Sequence, residues 1–509
     1  MKRPFQLLIC LSAILLAAAF TGCSSDDDNN DNPAPPTVQK PDLVFYGLTS
    51  SNTLVKYNAN NSGTVISTAS ITGLQPAENL LAIDFRPATG QLYGLGDSSR
   101  IYIINVNTGF AIPLNAAAFA PAISGTLVGF DFNPTVDRIR LVTSSGQNLR
   151  LHPETGLAVA TDTNLNPGSP NIGSAAYSNN TSGATATELF AIDFAAATLY
   201  KLESPNTGTL AAVGPLQLAS APTGDGGFDI ASTNNTALAN FKSGGMDHLY
   251  QIDLSSGKAT DLGMLATSII GLAIPTSPVG YAVDASNNLH IFNFLSPGTP
   301  ITKVLSGFQP AETVLGIDMR PATGQLYALG STGRIYVINT TTGISAMVGA
   351  GPVALLSGTD FGFDFNPLAD RIRIVSDTGQ NLRVNPNDGI LVSADLTLNP
   401  GTPNITAAAY LNNYPGTATT VLYDIDSTTD MLYTQNPPNN GTLTSVGALG
   451  INIAGANGFD IGGNSNVGYA ILTVGSTSKI YSINTTTGAA TAIADFPATV
   501  KGFAVGVGF

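Results

Sequence analysis

The 509-residue chain has no tryptophan, three histidines and two cysteines, and only 11% of its residues are charged. Each scarcity excludes something. Both cysteines, Cys10 and Cys23, lie in the N-terminal segment, so the rest of the chain has no disulfide available and must be stable through packing alone. His152, His248 and His290 are isolated from one another. A histidine metal site or a histidine-based triad is therefore not expected. No G-x-S-x-G elbow, H-E-x-x-H helix or Walker loop is present. The lack of tryptophan weakens a sugar-stacking site, although Tyr93, Tyr102, Tyr327 and Tyr336 remain. Cationic charge is scarce too. A formal net charge of −14 leaves no basic face for a phosphate backbone, which excludes nucleic acid as a partner.

What is abundant is turn chemistry. There are 54 glycines and 31 prolines, and Gly, Asn, Thr and Ser separate short apolar runs, a pattern of short strands and tight turns. The one long apolar run, residues 7–20, follows Lys2 and Arg3 and precedes Thr21-Gly22-Cys23. A basic end, a short apolar core and small residues form an export signal, expected over residues 1–22. The residues before Cys23 resemble a bacterial lipobox, which implies that Cys23 is diacylated and that a lipid anchor holds the protein on a membrane. Residues 23–42 are polar, acidic and proline-rich and are expected to be a flexible tether. Their Ser24-Ser25-Asp26-Asp27-Asp28 start resembles the surface-export signal of Bacteroidetes lipoproteins. The expected address is the outer membrane, with exposure on the cell surface.

The remainder is duplicated. Residues 130–151 and 363–384 agree at 15 of 22 positions, and residues 75–109 and 309–343 at 24 of 35. Within each copy a rhythm of about 45 residues recurs. Residues 80–114 contain four short apolar segments with turns at 87–90 and 107–109, one antiparallel sheet of four strands. Further units follow at 129–162, 173–214 and 227–263, and a partial unit begins at Val44. Its missing innermost strand can come from residues 271–274, and in the second copy from 502–505. The expected fold is all-β: two tandem five-bladed β-propellers of four-stranded antiparallel blades, residues 43–275 and 276–509. Residues 275–278 are as short as a hairpin turn, so one ten-bladed ring is the alternative.

The segments GFDFNP, DRIR and GQNLR, preceded by IDxRPATGQLY, resemble the signature of the bacterial domain-of-unknown-function family 4394, present here in two copies. The resemblance implies an exported propeller-like domain and no known activity.

The motif residues admit two roles. Alternation along a strand places Arg138 and Arg140 on one face, as it does Arg371 and Arg373. Buried guanidinium needs paired acceptors, and Asp131, Asp137, Asp364 and Asp370 are the expected partners. With Asn133 and Asn366 these residues would then pin blade to blade. Alternatively Arg140, Gln147, Asn148 and Arg150, with Arg373, Gln380, Asn381 and Arg383, line a polar pocket suited to carboxylates, sulfates or sugar hydroxyls. No cofactor is expected. Calcium is a secondary expectation, through Asp424, Asp426 and Asp430 or through Glu78, Glu312, Asp84, Asp318, Asn133 and Asn366. For Asp424-Ile425-Asp426 an ordinary turn is the preferred reading.

These features favour a non-catalytic binding or interaction module at the cell surface, partnered by a polysaccharide, peptide or protein. A calcium-dependent hydrolase or lactonase-like propeller and a ligand-free scaffold are the alternatives. The fold alone does not choose among them.

Overall fold

The computed structural model describes residues 39–509. The signal segment 1–22, Cys23 and nearly all of the tether lie outside the described residues. Within them, forty strands form ten four-stranded antiparallel sheets. The block at residues 75–109 shows how the sequence produces one. Leu80–Phe85, Leu92–Gly96, Arg100–Ile104 and Ala111–Pro113 pair in chain order. Alternating apolar residues bury both faces against neighbouring sheets, and Gly90 and Gly109 turn the chain at φ 70° and 73°.

The first blade of each copy is split. Gly271–Ala273 pairs with Val44–Leu48, and Val500–Val505 pairs with Gly280–Asp284. Blades two to five of the first ring begin at the inner strands Leu80–Phe85, Val128–Asn133, Ile172–Tyr177 and Thr223–Ile230. Those of the second begin at Val314–Arg320, Phe361–Asn366, Ile405–Tyr410 and Gly458–Ile461.

Each ring closes on five. In the first, Gly129 lies against Ala175, Gly227 against Leu272, and Gly271 against Ala82. In the second, Gly362 lies against Ala408, Gly458 against Phe503, and Gly502 against Ile317. A Cβ at Gly129, Gly227, Gly458 or Gly502 would sit 2.2–2.7 Å from the neighbouring strand, so the inner strands converge only because these residues have none. The ten-bladed alternative is not adopted, because each set of five inner strands already completes a circle.

The short link at 275–278 is explained by which faces meet. It leaves the end of the inner strand Gly271–Ala273 and enters Gly280–Asp284, the second strand of a blade in the other ring. It thus occupies the place of an ordinary turn between first and second strands, and the rings pack through the faces that carry those turns. Gln91 Nε2 donates to the carbonyl of Pro321 (3.3 Å), Tyr281 to that of Ala88 (2.9 Å), and the Gly508 N–H to that of Thr89 (2.8 Å). The two copies of RPATGQ, kept to the letter, face each other here.

Candidate functional site

Three carboxyls meet on the axis of each ring. Asp84, Asp131 and Asp229 hold the same position on three inner strands of the first ring, as do Asp318, Asp364 and Asp460 in the second. Within each trio one oxygen per residue lies within 4.8 Å of the others. Each is also a staple to the next blade. Asp84 accepts from the Phe132 N–H (3.0 Å), Asp131 from Tyr177 (3.2 Å) and Asp229 from Ile274 (2.6 Å). Asp318, Asp364 and Asp460 accept from Phe365, Tyr410 and Val505 in the same way. Burial pushes all six carboxyls well above the usual range, and repulsion between neighbours adds to it for Asp84, Asp131, Asp318 and Asp364. Among the described residues these trios are the groups able to hold a cation through three carboxylates. The axial cavities lined by the glycine layers hold about 20 Å³ and 10 Å³, room for one water-sized occupant.

The other calcium sets are not assembled. Glu78 accepts hydrogen bonds from the hydroxyls of Ser98 and Tyr102, and Glu312 from Thr332 and Tyr336, away from the axis. Asp426 caps its turn by accepting from Thr428 and Thr429, and Asp430 accepts from the Ile453 N–H. Asp424 has no partner for either oxygen and is fully buried.

A second constellation lies between the third and fourth blades. Arg140 stands opposite Asp131 on the adjacent strand, yet does not pair with it. Its Nη1 donates to Asn148 Oδ1 (2.7 Å) and Asp162 Oδ2 (2.6 Å), its Nη2 to Asn206 Oδ1 (2.7 Å), and its Nε to the Tyr177 hydroxyl (3.5 Å). Tyr177 and Asn206 belong to the following blade, so this guanidinium does join two blades. Arg150 grips Asp162 through both oxygens (2.8 and 2.9 Å). Burial alone would raise the Asp162 carboxyl, but hydrogen bonds from Arg150 and Arg140 hold it below the usual range. The second ring repeats every contact with Arg373, Asn381, Asp395, Asn439, Tyr410 and Arg383.

Asp137 and Asp370 serve a different arginine from those expected. They pair with Arg86 and Arg320 of the preceding blade, Nε to Oδ1 at 2.9 and 2.8 Å. Asn133 and Asn366 close their turns, accepting from the N–H of Thr135 and of Leu368. Gln147 and Gln380 do not line the clefts beside Arg140 and Arg373. They tie down neighbouring loops, bonding the backbone of Ser124 and Ala122, and of Ser357 and Leu355. Asn148 and Asn381 lie behind Arg140 and Arg373, donating to the carbonyls of Pro205 and Pro438.

In front of each network is a cavity. The first, about 250 Å³, is lined by Asn133, Arg138, Arg140, Arg150, Tyr177 and Asn206, with an apolar wall of Val136, Ile139 and Pro205. Its counterpart, about 200 Å³, is lined by Asn366, Arg371, Arg373, Arg383, Tyr410 and Asn439, with Ala369, Ile372 and Pro438. Arg138 and Arg371 make no ion pair among the described residues. Each uses only Nη1, on carbonyls of its own turn.

The sequence reading missed Arg86, Asp162, Asn206, Tyr177 and Asp229. Asp229 was legible, since IDF, FDF and FDI place an aspartate at one inner-strand position in three units. The others come from loops and following blades, which local spacing does not bring together.

Two closed five-bladed rings with equivalent inter-blade clefts define a tandem β-propeller. The chain belongs to the family described as a domain of unknown function (DUF4394), whose model matches residues 53–273 and 288–504. Similar solved structures include PorZ, a surface component of the type-IX secretion system of Porphyromonas gingivalis, at 14% identity, 88% of this chain and TM-score 0.26. The extracellular domain of a hybrid two-component system of B. thetaiotaomicron matches at 12% identity, 89% of this chain and TM-score 0.25. The Dos1 propeller matches at 11% identity, 66% of this chain, 92% of its own length and TM-score 0.27. The chain spans 58% and 64% of the length of the first two. No curated protein matches the chain by sequence. Among the described residues no helix is long and apolar enough to cross a membrane.

Proposed function

We propose that this protein is an exported, lipid-anchored binding module of the cell surface that holds ligands in its two inter-blade clefts without chemical change. The observation that carries the reading is the repetition of one cleft in both rings, with the same asparagine, arginine and tyrosine positions, each holding an arginine that no carboxylate pairs among the described residues. Pinning the blades is the task of Arg140 and Arg373. It does not account for Arg138 and Arg371, whose charge is presented to the cavity. Two copies of a site on one chain suit a ligand with repeated groups, for which a second engagement is intramolecular.

A thermal-shift screen of the full chain against oligosaccharides, peptides, Ca²⁺ and EDTA tests this, because a ligand that binds only the native state raises its stability. A glycan or peptide shift that persists in EDTA and is lost in Arg138→Ala/Arg371→Ala is expected, with the ligand recovered intact. A calcium-dependent shift accompanied by hydrolysis of the ligand would replace this reading with the hydrolase.

A further inference from the structure

We propose that each cleft recognises one acidic sugar residue, its carboxylate or sulfate taken by the pair Arg138 and Arg150 in the first ring and Arg371 and Arg383 in the second. This rests on the reading of the clefts as binding sites and names what they bind.

The argument begins with donors that are free. All three nitrogens of Arg140 are engaged within the fold. Arg138 uses Nη1 alone, and Arg150 spends Nε and Nη2 on Asp162, so Nε and Nη2 of Arg138 and Nη1 of Arg150 have no partner among the described residues. Arg371 and Arg383 are left with the same three nitrogens. Three guanidiniums line each cavity against one ion-paired carboxylate, Asp162 or Asp395. In a chain of net charge −14 this is a local surplus of positive charge. Guanidinium presents its N–H groups in a planar fork that matches the two oxygens of a carboxylate or sulfate.

The rest of the lining specifies what carries the oxyanion. Asn133, Ser204 and Asn206, and in the second ring Asn366 and Asn439, offer amide and hydroxyl groups suited to sugar hydroxyls. Val136, which is exposed, and the half-buried Pro205 form the wall against which the C–H face of a pyranose can rest. Tyr177 and Tyr410 are 1% exposed and engaged through their hydroxyls, so recognition here does not depend on aromatic stacking.

The test is calorimetric titration of the full chain with short oligomers of galacturonate and of glucuronate, their methyl esters, sulfated galactose oligomers and a glutamate tripeptide. The acidic sugars are expected to bind at least tenfold more tightly than the esters, and Arg138→Ala/Arg371→Ala to abolish binding with little change in melting temperature. The uronate and sulfate arms decide which oxyanion is taken. Esters that bind as well as the acids would overturn the proposal, as would failure of every acidic sugar. A tripeptide bound more tightly than the sugars, with the same arginine dependence, would overturn the sugar and leave the binding module standing. Binding by any probe that ignores both arginines would remove the clefts from either reading.

Discussion

Arg140 pairs with Asp162 at 2.6 Å and not with Asp131, its neighbour across the strand pair, which instead accepts from the Tyr177 N–H of the next blade. The two residues thus fix the same blade boundary by separate means. Arg140→Ala is expected to leave Asn148 and Asn206 without their donor and Asp162 half-paired in a buried setting, a loss of about 3 kcal/mol seen as a lower melting temperature. Arg138→Ala, which removes only bonds to the Val136 and Asp137 carbonyls, should change stability by less than about 0.5 kcal/mol. Equal losses in the two variants would contradict the division between pin and ligand site.

Asp424 supplies a pH test. Copy one carries Ala191 at the corresponding position, in an apolar layer that includes Leu189 and Tyr177. Burial pushes the Asp424 carboxyl up to about 8, with Arg373 opposing the shift. A folded-state pKa above the unfolded value means that stability is fully present below about pH 4 and is lost as pH rises towards 8, on the order of 1.4 kcal/mol per unit. Asp424→Ala should make that decline shallower in denaturant titrations at pH 5 and pH 8, the six axial carboxyls supplying the remainder. A variant as pH-sensitive as the parent would show that Asp424 is ionised throughout.

Gly324 sits at the tightest approach of the RPATGQ turns between the rings. At φ 65° its added Cβ would meet Arg86 Nη1, Gln91 Oε1 and Thr89 Cγ2, each at 2.9 Å. Gly324→Ala is expected to cost 1 kcal/mol or more, roughly, from the backbone alone, and to loosen one ring from the other. Separate unfolding transitions by calorimetry are the signature, and a single unchanged transition would refute it.

Much of this fold was legible. Period, turn residues and the orphan strand at Val44 predicted five blades per copy and the velcro closures at 271–274 and 502–505. What the sequence could not decide was five against ten, because residues 275–278 suit either. The answer lies in glycines that let five inner strands close. The clefts were half legible. Strand alternation put Arg138 and Arg140 on one face, but partners such as Asp162 and Asn206 arrive from a strand end and a loop of another blade.

The anchor is tested separately. Cys23→Ala should move the protein from the membrane to the soluble fraction of disrupted cells. Retention on the membrane would refute lipidation at that residue.

The most direct measurement of the central claim is stoichiometry. Titrating the full chain with a bound oligosaccharide should give two sites for the parent, one for Arg138→Ala or Arg371→Ala alone, and none for the pair. A parent with a single site, or one whose count neither substitution changes, would contradict the account.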